Sequence, residues 1–228
     1  MKDLLVIIPA YNEAKNIPEV IKKLKDTAVC VPIVVVDDGS LDETFKVCRE
    51  AGVKVIRHKV NLGLASAIRT GMQYALENGY GYAMQFDADG QHDEDSVIKL
   101  YEEIRERKVN IVIGSRYLNG KGKTTARYLG GRIISACIKF MTKKRISDPT
   151  SGMRVYDRSI MKLFVSSSLF SPEPDTLSYL IKKGFIVSEV EVEMKERMSG
   201  NSYLDLIGSA RYMFRMCTSI LLLSWMRN

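Results

Sequence analysis

Short runs of apolar residues alternate with amphipathic segments along the first half of the chain. Segments 16–27, 42–51, 64–77 and 95–107 show helical spacing, and Ser40 with Glu43 has the spacing of a capping box. The apolar runs predict buried strands at Leu4 to Pro9, Val31 to Asp37, Val53 to Arg57, Tyr82 to Asp87 and Ile111 to Ser115. This alternation predicts an α/β, Rossmann-like, mostly parallel mixed sheet with flanking helices, whose ligands bind beyond the carboxyl ends of the strands.

The second half of the chain is less regular and more basic. Residues 121–147 contain eight Lys/Arg and no acid, and their apolar residues predict a basic amphipathic helix. Strands at 153–156 and 186–193 are expected around a helix at 175–183, followed by a long helical pattern from about Leu204. We therefore expect one domain over 1–205 and a C-terminal amphipathic helix over 206–228.

Composition narrows the class of protein. The net charge is +7, but residues 1–115 hold 15 Lys/Arg against 18 Asp/Glu, and the remainder holds 19 against 9. The two halves should therefore have different partners.

The four cysteines form no CxxC or Cys/His ligand pattern, which argues against a disulfide framework or a zinc site. With no apolar leader after Met1, a reduced, cytosolic setting is expected.

An acidic cluster follows the fourth predicted strand. Asp87 and Asp89 are two positions apart, so their carboxylates point in roughly the same direction and repel each other unless a cation lies between them. Together with the amide oxygen of Gln91 they suit Mg²⁺ or Mn²⁺ shared with a substrate phosphate. For residues 93–95, a solvated helix N-terminus is the better interpretation.

A second acidic pair, Asp37 and Asp38, ends the second strand and should reach the same edge of the sheet. A carboxylate there can accept hydrogen bonds from a nucleobase or a ribose. The alternative is turn chemistry, since Asp-Asp-Gly-Ser is also a good turn between a strand and a helix.

Six motifs along the chain form a recognisable set. In order they are Pro9-Ala10-Tyr11-Asn12-Glu13, Val35-Val36-Asp37-Asp38-Gly39-Ser40, Asn61-Leu62-Gly63 through Gly71, Asp87-Ala88-Asp89-Gly90-Gln91-His92, Gly114-Ser115-Arg116-Tyr117 and Asp148-Pro149-Thr150-Ser151-Gly152-Met153-Arg154. They resemble family 2 glycosyltransferases of the dolichol-phosphate-mannose-synthase type, and the resemblance covers roughly residues 4–205, including the segment from Arg197 to Ser202. The resemblance implies a GT-A fold and an inverting transfer of a hexose from a UDP- or GDP-linked sugar.

The resemblance also implies roles for individual residues. Asp87, Asp89 and Gln91 would hold Mg²⁺ or Mn²⁺ against the diphosphate. The nucleotide-sugar would be bound by Pro9, Ala10, Tyr11, Glu13, Asp37, Asp38, Asn61, Gly63, Asp87 and Ala88.

The acceptor side is expected to be basic. A polyprenyl phosphate needs cationic positioning, whereas the hydroxyl of a polyprenyl-linked saccharide must lose a proton to a base. Acceptor contacts are predicted for Arg116, Arg127, Arg132 and Ser202, and catalytic roles for Arg116, Arg197 and Asp175 as the base. Gly200-Asn201-Ser202-Tyr203 departs from the family's Gly-Glu-Ser-Lys, which removes one positive charge from this side.

The C-terminal segment predicts peripheral attachment to a membrane. Its apolar stretch is shorter than the roughly 20 residues that span a bilayer. Its arginines and leucines suit a helix in the interface of an anionic membrane at the cytoplasmic face, where cell-surface glycans are assembled. Packing on the sheet, a membrane-protein partner or a homo-oligomer are the alternatives.

Three other classes of protein fit less well. A receiver-like domain should carry its acids after the first strand, and a nucleotidyltransferase should have a Gly-rich loop with a catalytic lysine. A nucleic-acid-binding module would place aromatic side chains among its basic residues, whereas here aliphatic residues and methionines accompany them. No nucleic-acid partner is therefore expected.

Overall fold

The computed structural model describes residues 3–26, 31–88, 95–118, 126–193 and 206–226, with the side chains of 126–127, 206–207 and 223–226 excepted. The strands are β1 (Leu4–Ala10), β2 (Ile33–Asp37), β3 (Lys54–Arg57), β4 (Tyr82–Gln85), β5 (Ile111–Ser115), β6 (Arg154–Asp157) and β7 (Val187–Glu191). The helices are α1 (Ile17–Asp26), α2 (Thr44–Glu50), α3 (Leu64–Glu77), α4 (Ser96–Arg107), α5 (Ala126–Thr142), α6 (Arg158–Ser166), α7 (Pro174–Lys182) and α8 (Leu206–Met226).

The seven described strands form one mixed sheet in the order β3-β2-β1-β4-β6-β5-β7. Only β6 among them is antiparallel to its neighbours, β4 and β5. The carboxyl ends of β1, β2, β4 and β5 therefore lie at one edge, and the chain returns to that edge where β6 begins. The predicted α/β class and mostly parallel sheet are confirmed.

Two apolar clusters cover the two faces of the sheet. One contains α1 and α4 side chains, and the other contains side chains from α3, α5, α6, α7 and α8. The C-terminal helix takes part in the second cluster, because Met216 and Ile220 of α8 are buried there. The exposed side of α8 carries Phe214 and Leu222, so apolar residues lie on both of its sides.

Several predicted boundaries were wrong. β2 begins at Ile33 and β4 ends at Gln85, both shorter than expected. The capping box was also wrong: α2 begins at Thr44, whose backbone N–H donates to Asp42 Oδ1 at 3.0 Å, while Ser40 Oγ accepts a bond from another loop. Helix α6 was not predicted, because Asp157 is both the last residue of β6 and the N-cap of α6.

A close approach of α3 to β1 depends on glycine. A Cβ on Gly71 would lie 2.4 Å from Ile7 Cγ2, whereas a Cβ on Gly131 of α5 would meet only Thr150 Oγ1 at 3.8 Å. Overpacking costs roughly 1–3 kcal/mol and the gain in helix propensity offsets up to about 1 kcal/mol of it, so we expect Gly71→Ala to lower the free energy of unfolding by about 1–2 kcal/mol. Gly131→Ala, the matched control, should instead raise it by up to about 1 kcal/mol through helix propensity. Urea denaturation measures both, and equal effects would contradict the packing argument.

Candidate active site

The loop after β1 is hydrogen-bonded to the turn after β2. Asn12 N–H donates to Ser40 Oγ and Glu13 N–H donates to Thr44 Oγ1, both at 2.9 Å. Asn12 adopts a φ of 57°, a conformation that Asn tolerates better than most residues. These bonds fix the segment 9–13, which carries four of the predicted nucleotide-binding residues.

Asp37 lies at the centre of the turn after β2. Its side chain is fully buried, its Oδ1 accepts the Ser40 N–H at 3.0 Å, and Arg57 Nε lies 3.1 Å from its Oδ2. The Arg57 guanidinium also stacks over the Phe45 ring, 5.1 Å from its centroid. Asp37 thus holds the turn together at the predicted nucleotide edge, and its contact with a nucleobase stays a prediction.

Asp38 organises the neighbouring loop. Its Oδ1 accepts the Leu62 N–H at 2.9 Å and its Oδ2 accepts the Gly63 N–H at 2.7 Å. His58 Nδ1 lies 2.6 Å from Asp38 Oδ1, and His58 Nε2 lies 2.9 Å from Thr70 Oγ1. Asp38 therefore shapes the loop that carries the predicted residues at 61 and 63, and its contact with a nucleotide stays a prediction.

Asp87 follows β4 at the same edge, and Ala88 beside it is buried. The Asp87 carboxylate lies directly over Gly152, where a Cβ would be 2.1 Å from Oδ2. Any other residue at 152 would displace it, so the glycine makes the room that the carboxylate occupies. Asp89 and Gln91 lie outside the described residues. Of the three proposed metal ligands, Asp87 is therefore the one that lies in the described part of the chain. Within the described ranges no group of three Asp, Glu, His or Cys residues could hold a metal ion.

The loop 146–152 is held in place by polar side chains from β6 and β7. The Glu189 carboxylate on β7 accepts the backbone N–H groups of Ser147, at 2.7 Å, and Asp148, at 3.0 Å. The buried Arg154 guanidinium on β6 donates to the carbonyls of Pro149 at 2.6 Å and Ser151 at 2.9 Å. The loop beneath Asp87 is therefore fixed by two charged groups.

Arg116, at the end of β5, forms a side-on ion pair with Asp148. Its Nε lies 2.5 Å from Oδ2 and its Nη2 lies 2.8 Å from Oδ1. Burial lowers the pKa of the guanidinium, but the bonds and charge of Asp148, with smaller contributions from Tyr117 and Asp87, outweigh it and leave the pKa raised. Arg116 is thus a permanent cation whose Nη1 has no hydrogen bond within the described residues.

A cation and aromatic stack joins Arg116 to Arg132. The Arg116 guanidinium lies 5.0 Å from the Tyr117 ring centroid, and the Tyr117 ring meets the Tyr128 ring edge-on at 4.9 Å. Arg132 lies 5.8 Å from the Tyr128 centroid. Two of the predicted acceptor arginines are thereby brought to one surface. The Arg127 side chain, Arg197 and Ser202 lie outside the part of the chain whose side chains are described.

Asp175, the predicted base, lies in the first turn of α7. Its Oδ1 accepts a hydrogen bond from the backbone N–H of the next residue, Thr176, at 2.7 Å, and its Oδ2 accepts one from the Ser219 hydroxyl of α8, also at 2.7 Å. Glu173, two residues earlier, accepts the Tyr212 hydroxyl of α8 at 2.5 Å. Both carboxylates are therefore hydrogen-bonded to the C-terminal helix.

Sequence reasoning missed the residues that hold the site together. Glu189 and Tyr212 act through contacts across 41 and 39 positions of the chain, which no local pattern reports. Gly152, by contrast, stands in a motif that was recognised, but its purpose became visible only from the position of Asp87.

Replacing the fork of Arg116 by an ammonium should destabilise the protein. Arg116→Lys cannot keep both bonds to the buried Asp148, so we expect the free energy of unfolding to fall by about 2 kcal/mol or more. Arg107→Lys is the matched control, because Arg107 pairs with Glu103 at the surface and should cost less than about 0.5 kcal/mol. Denaturant unfolding at constant salt compares the two, and a smaller loss for Arg116→Lys would contradict the buried-pair assignment.

Comparison with known proteins agrees with this geometry. The model of glycosyl transferase family 2 matches residues 5–164. The chain is 30% identical over 224 residues to the polyprenol monophosphomannose synthase of Mycolicibacterium smegmatis, covering 92% of this chain and 84% of the relative. It is 32% identical over 197 residues to the UDP-N-acetylglucosamine–dolichyl-phosphate N-acetylglucosaminyltransferase of Methanococcus voltae, covering 78% of each.

Solved structures show the same fold. Glucosyl-3-phosphoglycerate synthase of Mycobacterium tuberculosis, in complex with phosphoglyceric acid, superposes with a TM-score of 0.70 at 20% identity, over 96% of this chain and 80% of that one. A complex of the same enzyme with Mn²⁺, UDP and glucosyl-3-phosphoglycerate gives a TM-score of 0.61 at 18% identity, with the same coverage. The acidic strand ends, the clamped loop, the GT-A fold and the family match together show that this chain is a glycosyltransferase and belongs to glycosyl transferase family 2.

Proposed function

We propose that this chain moves a hexose, with inversion, from a UDP- or GDP-linked sugar to a polyprenyl phosphate or a polyprenyl-linked saccharide in the assembly of cell-surface glycans. The observation that carries the proposal is that Asp87 and Arg116 lie against the same loop, 146–152, Asp87 over Gly152 and Arg116 paired with Asp148. One group suits the metal side of a diphosphate, and the other suits an anionic acceptor. The names of the polyprenol and dolichyl-phosphate relatives support this acceptor class.

The donor side would be built by residues from three strand ends. Segment 9–13 and the turn at Asp37 would surround the nucleobase and ribose, while Asp38 would act indirectly by shaping the loop at 61–63. Asp87, with Asp89 and Gln91, would hold Mg²⁺ or Mn²⁺; the carboxylate over Gly152 fits a hard cation, and the Mn²⁺ and UDP bound by the M. tuberculosis enzyme support the choice. Such an ion would stabilise the negative charge that develops on the departing nucleoside diphosphate.

The acceptor side would be built on the stack from Arg116 to Arg132. The Nη1 of Arg116, which has no hydrogen bond within the described residues, and the exposed Arg132 could bind a phosphate, with Arg127, Arg197 and Ser202 as further proposed contacts. A lipid phosphate is already an anionic nucleophile, so these residues would need only to position it. If the acceptor is a sugar hydroxyl, Asp175 would serve as the base.

The surface made by α5 and α8 favours docking on an anionic membrane. These helices pack against each other and contain no acidic residue. Their large exposed side chains are apolar or basic: Leu129, Arg132, Ile133, Lys139, Phe140, Arg211, Phe214, Arg215, Leu221 and Leu222. Within the described ranges no helix is long and apolar enough to cross a bilayer. From the apolar and basic side chains of this surface we propose a peripheral position at the cytoplasmic face, where lipid head groups would meet the arginines.

The metal side can be tested without knowing the acceptor. In Gly152→Ala the new methyl group should displace the Asp87 carboxylate. We therefore expect the affinity for UDP or GDP, measured by titration calorimetry in saturating Mn²⁺, to fall at least 10-fold. Gly81→Ala is the control, because its Cβ would meet nothing closer than 3.8 Å. Unchanged nucleotide affinity in a folded Gly152→Ala would remove Asp87 from the donor site.

The effect of an Asp175 substitution on the rate of transfer distinguishes the two proposed classes of acceptor, a sugar hydroxyl and a lipid phosphate. Purified protein is incubated with labelled nucleotide-sugars, Mn²⁺ and either polyprenyl phosphate or a polyprenyl-linked sugar. Asp175→Asn should slow transfer to a sugar hydroxyl by roughly 10²–10⁴-fold, because a general base contributes that much, and should slow transfer to a phosphate by less than about 10-fold. The absence of any labelled lipid across the whole panel would contradict the proposed function.

Membrane docking predicts that an acidic side chain on the outer side of α8 weakens binding to anionic lipid. Phe214→Glu adds an acid to the outer side of α8 and should lower binding to vesicles rich in phosphatidylglycerol by 10-fold or more in a sedimentation assay. Leu41→Glu, at an exposed leucine in the turn after β2, should leave binding unchanged. Equal binding by the two variants would favour a membrane-protein partner or a homo-oligomer on this surface.

A further inference from the structure

The C-terminal helix reaches the first turn of α7 through two hydroxyl groups. Tyr212 donates to Glu173 Oε2 at 2.5 Å, and Ser219 donates to Asp175 Oδ2 at 2.7 Å. The donors are seven residues apart, which places them on one face of α8, about two turns from each other. One side of α8 is therefore fitted to the two carboxylates at the start of α7.

Glu173 has the position of a helix cap but does not act as one. It is the N-cap residue of α7, and its side chain makes no capping bond to the helix. An N-cap side chain normally accepts a backbone N–H of the first turn, which stabilises the helix. Here the carboxylate is turned to Tyr212 instead, so its orientation is set by α8.

The Tyr212 phenol is a dependable donor. Burial raises its pKa, the charge of Glu173 and the bond to it raise it further, and Arg154 and Arg215 oppose the shift without cancelling it. The hydroxyl therefore keeps its proton through the range in which enzymes of this kind operate. The bond to Glu173 is a hydrogen bond to a charged acceptor, which is among the stronger ones in proteins.

Glu173 also belongs electrostatically to the catalytic edge. The buried Tyr156, on β6, has a raised pKa because of burial, and the charges of both Asp87 and Glu173 contribute while Arg154 opposes them. The charges of Asp87, the proposed metal ligand, and of Glu173 therefore both raise the pKa of the Tyr156 phenol. Glu173 lies in the same charged neighbourhood as Asp87, with the Arg154 cation among them.

We propose that Tyr212 is a positioning residue of the transferase: it holds Glu173 as a second acceptor-side carboxylate, so that α8 completes the catalytic site. The proposal rests on the proposed sugar transfer, but its structural half can be tested separately. Tyr212 touches no reacting atom in this account and acts through Glu173.

A double-mutant cycle tests the link. We expect Tyr212→Phe to lower kcat for lipid glycosylation about 10-fold, as the loss of a hydrogen bond to a charged group does, with the KM for the nucleotide-sugar within 2-fold. In a Glu173→Gln background the same change should cost less than 2-fold, because its effect passes through Glu173. Thr218→Val is the control on α8, since the Thr218 hydroxyl bonds only to the helix carbonyls of Phe214 and Arg215.

Two outcomes would overturn the proposal. Equal losses from Tyr212→Phe with and without Glu173 would show that the phenol acts elsewhere, and a full loss in Thr218→Val would show that α8 serves only stability. Amide exchange supplies a readout that needs no activity: Tyr212→Phe should speed exchange at residues 176–178 at least 5-fold, and unchanged exchange would refute the positioning role. Should the parent transfer no sugar at all, the proposed function fails while the exchange result still decides this claim.

Discussion

The ion pair between Arg116 and Asp148 is the interaction on which the rest of the site depends. Asp148 is almost fully buried, and a buried carboxylate without a partner is very costly, so the pair fixes both groups. Glu189 holds the backbone of the same loop, and that loop presents Gly152 to Asp87. The placement of the Asp87 carboxylate and of the Arg116 guanidinium thus follows from one clamped segment.

The acidic pair at the end of β2 stiffens the loops around it. Asp37 Oδ1 and both oxygens of Asp38 accept backbone N–H groups, and Arg57 and His58 lie beside the two carboxylates, which is how short loops at a sheet edge gain rigidity. At the end of β4, the Asp87 carboxylate lies over Gly152, where only a missing side chain leaves it room. The family resemblance implies nucleotide contacts for Asp37 and Asp38 and metal binding for Asp87, and these roles stay predictions.

Much of the fold was accessible from the sequence, because buried parallel strands and amphipathic helices leave strong periodic signals. The bounds of β5 and α3 were predicted to the residue. Helix α6 was missed because it follows β6 with no turn residue between them. The acids at the strand ends were found by motif, but the partners of Glu173, Asp148 and Glu189 come from distant segments, and periodicity carries no information about such pairings.

The antiparallel strand β6 sets the distance between two strand ends of the candidate site. It lies between β4, which leads to Asp87, and β5, which leads to Arg116. Because neighbouring strands are about 4.8 Å apart, this insertion separates the two strand ends by nearly 10 Å. A gap of that width is comparable to a pyranose ring with its flanking phosphoryl group, so on the proposed assignment the order of the strands would set the distance between leaving group and nucleophile.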